Sequence, residues 1–440
     1  MLGHHLKYQL VVVVPFLLSM SAVAGDDVMF RGNPQHTGVY DSVGPHHFNK
    51  IKWKFHTDGS VVSSPAVSNG LVYVGSNDHN LYALDRETGT LRWKFKTESR
   101  VTSSPAVAGG LVYVESYDGN LYAVDALNGS MRWKFETSGE RRFAGRHLHG
   151  ALPVAETMPD PFDFYLSSPA IWEGAVYFGS GDGNIYAVDA LSGKLKWKFP
   201  TGDVVHASPA ISDDTLFLGS WDSYFYALDA RTGKEKWRFK TGEDQKIHNQ
   251  VGIQSSAAVA GGVVYFGCRD SNFYAVDVKT GQQKWSFNNK GSWVIASAAV
   301  QDGKIYFPTS DSGTFYALDA QSGSRIFSLD FKRWPMFSSP GIAGHMLYLG
   351  SHNGKLIAID LDTRQVIWTF PTDGSLQNGP IYTKPDGTPN YEAAFTDFFY
   401  DDLVIGVSKM MSVGAVLSSP VVADGVIYFG STDGNLYALK

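Results

Sequence analysis

Cysteine is all but missing from this chain: Cys268 is the only one in 440 residues. No internal disulfide can form, so the fold must rest on its core. A single thiol at the end of an apolar run reads as a small buried hydrophobe. Charge is sparse as well, at 18% of residues, with 37 Lys and Arg against 43 acids. No basic run is present to follow a phosphate backbone, which argues against nucleic-acid binding. Apolar runs of any length are confined to residues 10–18, after Lys7 and before Ala22-Val23-Ala24. That order is the pattern of a leader cleaved near Ala24, and the run is too short to span a bilayer comfortably. The expectation is an exported protein, periplasmic or secreted, with no membrane span and with residues 1–24 outside the fold. Catalytic signatures are missing too: no Gly-x-Ser-x-Gly elbow, phosphate loop or dinucleotide fingerprint falls in a fitting context. His147-x-His149 has no third partner for zinc, so no metal site is expected.

What is present is a unit of about forty residues, repeated. Its clearest copy reads Ser63-Ser-Pro-Ala-Val, Leu71-Val-Tyr-Val-Gly-Ser, Leu81-Tyr-Ala-Leu-Asp85, Thr88-Gly89 and Leu91-Arg-Trp93-Lys-Phe95. The late Asp and Trp return as Asp125/Trp133, Asp189/Trp197, Asp229/Trp237, Asp277/Trp285 and Asp360/Trp368, with Phe327 in the Trp place after Asp319. Four short runs rich in Val, Tyr, Leu and Trp, punctuated by Gly, Asn and Asp, predict a four-strand antiparallel meander. Asp118-Gly-Asn, Asp182-Gly-Asn and Asp433-Gly-Asn supply the tight hairpins. Their aspartates are spread over different units, so they read as turn formers and not as a calcium set.

Seven full units are followed by an eighth that stops at Lys440 before a fourth strand. The missing strand stands at the other end, where Ile51-Lys-Trp53-Lys-Phe55 looks like an outer strand with no repeat before it. A split unit of this kind predicts a closed ring: an all-β, eight-bladed propeller of residues 25–440, sealed by strand 51–57 pairing with the last blade. Such a ring is self-contained, and a monomer is expected. Trp53, Trp93, Trp133, Trp197, Trp237, Trp285 and Trp368 are then structural, each filling a seam between blades.

Departures from the repeat mark the candidate site. Insertions at about 138–165, 241–252 and 372–415 all follow a fourth strand, which puts them on the face that carries the Asp-Gly-Asn hairpins. Insertions gathered on one face mark the working face of a repeat protein. The first carries Arg141, Arg142, Arg146 and His149. The third is aromatic and acidic, with Tyr391, Phe398 and Asp401, and has room for a short helix. These are the partner-face candidates, although a basic and an acidic insertion can also pack on each other over the channel mouth. Along the inner strands, His206 and Gln254 are the polar exceptions at an otherwise mostly apolar place. With Trp293 and Trp334 they form a candidate channel site for a flat ligand, against the preferred reading of a channel lined with satisfied polar groups and water.

Ala83-x-Asp85-x-x-Thr88-Gly89-x-x-x-Trp93 and its copies resemble the tryptophan-docking motif of quinoprotein-type, PQQ-like propellers, from Phe30-Arg-Gly-Asn to the end of the chain. For function the resemblance implies two directions. One is a BamB-like scaffold without catalysis, part of the outer-membrane β-barrel assembly machine. The other is a dehydrogenase holding pyrroloquinoline quinone (PQQ) with calcium, an Asp base and an adjacent cysteine pair. Cys268 alone cannot make that pair, and Gly25, not a cysteine, stands directly after Ala24, where BamB would be lipidated. The expectation is therefore an exported, non-catalytic propeller without a cofactor, binding a protein or envelope component, or a ligand, on the loop-bearing face. A PQQ-dependent dehydrogenase oxidising alcohols or sugars is the alternative.

Overall fold

The computed structural model describes residues 28–242 and 251–440; the expected leader and most of the expected 241–252 insertion lie outside them. In the first blade the strands are Ala66–Ser68, Leu71–Gly75, Asn80–Asp85 and Leu91–Lys96, paired as an antiparallel meander. The second and third are almost wholly buried because neighbouring sheets cover both faces. The fourth, LRWKFK, alternates, burying Trp93 and turning Lys and Arg outward. Charge on that outer edge discourages further strand pairing.

Six more sheets cover 106–136, 170–200, 210–240, 258–288, 299–330 and 341–371. The eighth joins Val421–Ala423, Val426–Gly430 and Asn435–Leu439 to Ile51–His56 from the other end of the chain, in the order that places Trp53 opposite Ala438. The architecture is an eight-bladed β-propeller. Among the described residues, no helix is long and apolar enough to cross a membrane.

Each fourth strand carries a register shift just before its Trp or Phe. The bulge re-aims the ring into the seam. Trp93 Nε1 donates to the carbonyl of Ala126 in the next blade at 3.0 Å. Trp53, Trp133, Trp197, Trp237 and Trp285 do the same to Arg86, Ala190, Ala230, Val278 and Ala320. The turn Gly is needed there: a Cβ at Gly129 would stand 2.8 Å from the Trp93 ring, and its φ is +74°. Blade 8 has no such turn, and Trp368 donates instead to His46, in the N-terminal segment. Blade 7 breaks the rule in a matched way. Arg364 replaces the Gly, and its guanidinium lies 5.8 Å over Phe327, the smaller ring that replaces the Trp.

The hairpin aspartates also tie blades together. Asp78 accepts from Asn80 N, from the Tyr82 hydroxyl at 2.7 Å and from Asp58 N of the preceding connection. At the axis, the second serine of each Ser-Ser-Pro motif or its counterpart forms a ring. The backbone N–H groups of Ser64, Ser104, Ser168, Ser208, Ser256, Ser297, Ser339 and Ser419 each donate to the hydroxyl of the next serine at 2.8–3.2 Å. The bond from Ser419 to Ser64 closes the circle.

Both ends of the axis are stopped. On the side away from the inserted loops, residues 28–40 run along the inner strands. Pro34, Gln35, Thr37 and Gly38 carbonyls accept from Ile211, Val259, Val300 and Ile342, and Arg31 donates to Pro340 and Ala298. On the loop-bearing side Tyr165 donates to the Leu417 carbonyl at 3.0 Å. Between Phe30 and Tyr165 remains a cavity of about 40 Å³, room for a few waters. The third insertion holds three helices, where one short helix had been expected: α1 (Asp373–Tyr382), α2 (Tyr391–Ala394) and α3 (Tyr400–Met411).

Candidate functional site

One place in each inner hairpin escapes the repeat: the residue before the turn aspartate, or its counterpart. It is Asn77, Tyr117, Gly181, Trp221, Arg269, Ser310, His352 and Thr432 in turn. Tyr117, Trp221 and Arg269 meet the first insertion at the channel mouth. Phe143 stacks on Trp221 with centroids 4.3 Å apart. Asp160 and Asp163, both fully buried, are lowered into the ring. Arg269 Nη1 donates to Asp160 at 2.5 Å and its Nη2 to Gln254 Oε1 at 2.7 Å. The Arg269 guanidinium carbon is 4.2 Å from the Trp221 centroid and 4.4 Å from that of Trp293. His149 Nε2 lies 2.9 Å from Asp160. His206 Nδ1 lies 2.8 Å from Asp163, with Glu140 3.6 Å from its other nitrogen.

Charges so deeply placed are tolerable only when paired and hydrogen-bonded. Burial alone would lower the His206 pKa, but Asp163 and Glu140 reverse this and raise it to about 10. Burial works against the Asp160 carboxylate, yet Arg269 and His149 hold it well below the usual carboxylate range. The assembly is a set of buried struts that clamps the 138–165 insertion onto the propeller.

His206 and Gln254 do line the axial cavity, with the serine ring, Thr102, Leu166, Ile295 and Phe337. Trp293 and Trp334 do not. Trp293 packs on Arg269, and Trp334 is held outward by a bond from its indole to Gly387, which the third insertion contributes. On the partner face, Arg141 is exposed and bonded to Asp203. Arg142 is half-buried, close enough to Tyr117 to affect its titration. Arg146 is exposed on the hairpin Ala144–Arg146/Thr157–Pro159. His149 is not a surface residue: its side chain is 10% exposed and packs edge-on against Phe162 and Trp293. The two insertions pack on each other. Leu152 N donates to Phe398 O, and the Tyr400 hydroxyl donates to Pro159 O at 2.8 Å. Phe398, Phe399 and Ile405 nevertheless remain 66%, 52% and 51% exposed, beside exposed Asp401.

PQQ with calcium does not fit the axis. The protein's own Arg269 guanidinium packs against both the Trp221 and Trp293 indoles, and the cavity left on the axis is water-sized. Among the described residues, no three His, Cys, Asp or Glu side chains are grouped to hold an ion. Cys268 is fully buried where most other units have Ser, its thiol pushed up by burial and bonded to the Gly252 carbonyl. Asp160, Asp163, Glu140, Arg269 and Trp221 were not singled out from the sequence. Arg269 and Trp221 stand at the one variable place of a repeated hairpin, and that variability is the signal that identifies them.

These features define the class: a PQQ-like propeller plugged at both ends, with a crowded mouth and one decorated face. Residues 49–157, 165–291 and 285–387 match the family described as outer membrane protein assembly factor BamB, and the chain belongs to that PQQ-like propeller family. Among solved structures it resembles BamB from Moraxella catarrhalis, at 16% identity and TM-score 0.65, covering 89% of this chain and 99% of that one. A europium-containing methanol dehydrogenase superposes with TM-score 0.65 at 16% identity, covering 94% and 97%. A quinohemoprotein alcohol dehydrogenase from Comamonas testosteroni gives 0.67 at 16%, covering 94% and 80%. At such identities the likeness is one of fold. No curated protein matches the sequence.

Proposed function

We propose that this chain is an exported, non-catalytic propeller of the cell envelope that binds a protein or envelope component through its loop-bearing face. The supporting observation is the strip Phe398, Phe399, Val404 and Ile405, exposed apolar side chains within eight residues on that face. Scattered exposed hydrophobes are ordinary, whereas a contiguous group marks an interaction surface. Bonds from Leu152 N to Phe398 O and from the Tyr400 hydroxyl to Pro159 O tie this segment to the first insertion, which lessens the ordering lost on binding. A PQQ-dependent dehydrogenase is the rival, carried by the fold it shares with those enzymes and opposed by the filled axis.

One paired experiment separates them. The full chain and a Phe398→Ser/Ile405→Ser variant are used as bait in an envelope extract, and both are melted with and without PQQ plus calcium. The scaffold reading expects one or more partners to be lost with the variant and no shift in Tm. Identical partner sets would remove the face assignment. A rise in Tm with cofactor would establish the dehydrogenase instead, since a ligand selective for the native state stabilises it.

A further inference from the structure

Beside the axis, under α2 and α3, lies a cavity of about 250 Å³ that borders the strut assembly at His149 and Trp293. Its wall is made by Phe162, Trp293, Phe337, Tyr391 and Phe395, with Met410 and Met411. For scale, an apolar cavity of about 150 Å³ holds benzene. This one is sized for one or two fused rings. Its rim is not apolar: Asp311 and Arg333, both exposed, border it.

The two charges are placed by a local departure from the repeat. In six blades the hairpin aspartate is taken up by the tyrosine of the following strand, as Asp270 is by Tyr274. The blade 6 hairpin is one residue longer, since Asp311 precedes Asp319 by eight places where Asp270 precedes Asp277 by seven. Ser312 falls in the aspartate's place, and among the described residues the side chain of Asp311 accepts only from the Ser310 hydroxyl, at 2.8 Å. Arg333 sits on the turn packed directly against this hairpin. Phe331 N donates to Gly313 O at 2.8 Å, and a Cβ at Gly313 would stand 2.8 Å from Arg333 Cα. Lys332 and Arg333 both hold left-handed backbone, at φ 56° and 63°, which a non-glycine residue adopts at a cost. Asp311 and Arg333 thus stand on touching turns without an ion pair between them, and neither has another ion-pair partner among the described residues. In the wall, His352 Nε2 and Trp293 Nε1 also lack hydrogen-bond partners, on side chains more than nine-tenths buried.

We infer that this cavity is a binding site for an aromatic α-amino acid, the ring seated among the aromatic and methionine side chains, the carboxylate on Arg333 and the ammonium on Asp311. An anion alone would leave Asp311 facing it, and a cation alone would face Arg333; a zwitterion satisfies both. The inference does not depend on the partner reading above.

Calorimetric titration of the full chain with L-tryptophan, indole-3-propanoate, tryptamine and L-alanine tests it. L-tryptophan should bind at least about tenfold tighter than either singly charged indole, as expected for one charge-assisted hydrogen bond. L-alanine, a head without a ring, should give no heat. Arg333→Gln should weaken L-tryptophan about tenfold and leave tryptamine unchanged. Asp311→Asn should weaken L-tryptophan equally and leave indole-3-propanoate no weaker. Both side chains are exposed, so the variants keep the fold. Equal binding of the three indoles, indifference to both variants, or no heat from any indole would overturn the assignment.

Discussion

His206 is sealed inside the protein axis against Asp163 and Glu140, and the consequence is a pH dependence. Its folded pKa, about 10, lies above the ordinary histidine value of 6.5. The stabilisation is therefore complete below about pH 6.5 and is lost as pH rises toward 10, where the unfolded chain has given up its proton and the folded one still holds it. His206→Gln removes the titration while keeping a polar side chain. Melting of the two proteins across pH 6 to 10 should show a gap that is widest at pH 6 and narrows steadily. A gap that stays constant would mean that His206 is not charged in the fold. The Asp160 carboxylate works in the other direction, since its lowered pKa gives stability that is present at neutral pH and lost on acidification below the ordinary carboxylate range.

Blades are joined by one repeated device, an indole hydrogen-bonded over the next blade's turn, and the seam that replaces both the ring and the glycine shows how it is coupled. Phe327→Trp alone forces a larger ring against Arg364; Arg364→Gly alone removes the cation that covers Phe327. The double variant restores the arrangement of the other seams. Each single change should lower stability, and the double should be more stable than their sum by about 0.5–3 kcal/mol. A double-mutant cycle by denaturant unfolding reads this directly, and strict additivity would show that the two departures are unrelated. The seams also show what a sequence reveals. Strand order, turn residues and the Trp positions were legible because they recur from blade to blade, and the split blade because it breaks that recurrence. Asp160 and Arg269 were not, because they stand 109 residues apart, one in an insertion and the other at the variable place of a hairpin. The helices were faint for local reasons: α1 contains Gly374, Gly379 and Pro380, and α2 is four residues long. The plug at 28–40 makes its bonds mainly through backbone carbonyls, which leave no mark in side-chain pattern.

At the scale of the whole molecule, stability is a question of closure. In an open stack each repeat answers only to its neighbours, and losing an end unit costs roughly that unit's share. Here the end unit is also the fastener. Residues 418–440 supply three strands of blade 8, the partner of Ile51–His56, and Ser419, which completes the serine ring. They also cover the seam faces of blades 7 and 1, where Tyr348 and Val72 are buried. Removing them strands one β-segment, breaks the ring at two neighbouring bonds and exposes two apolar faces together. The segment 28–40 still grips the inner strands from the other side, so the remaining blades would stay collapsed without a single cooperative structure. Truncation after Leu417 should therefore replace one sharp calorimetric transition with a broad, weak one and raise the binding of a hydrophobic dye. A truncated chain that melted sharply near the temperature of the full one would mean that the blades stand as an open stack, and that the meeting of the two ends contributes little.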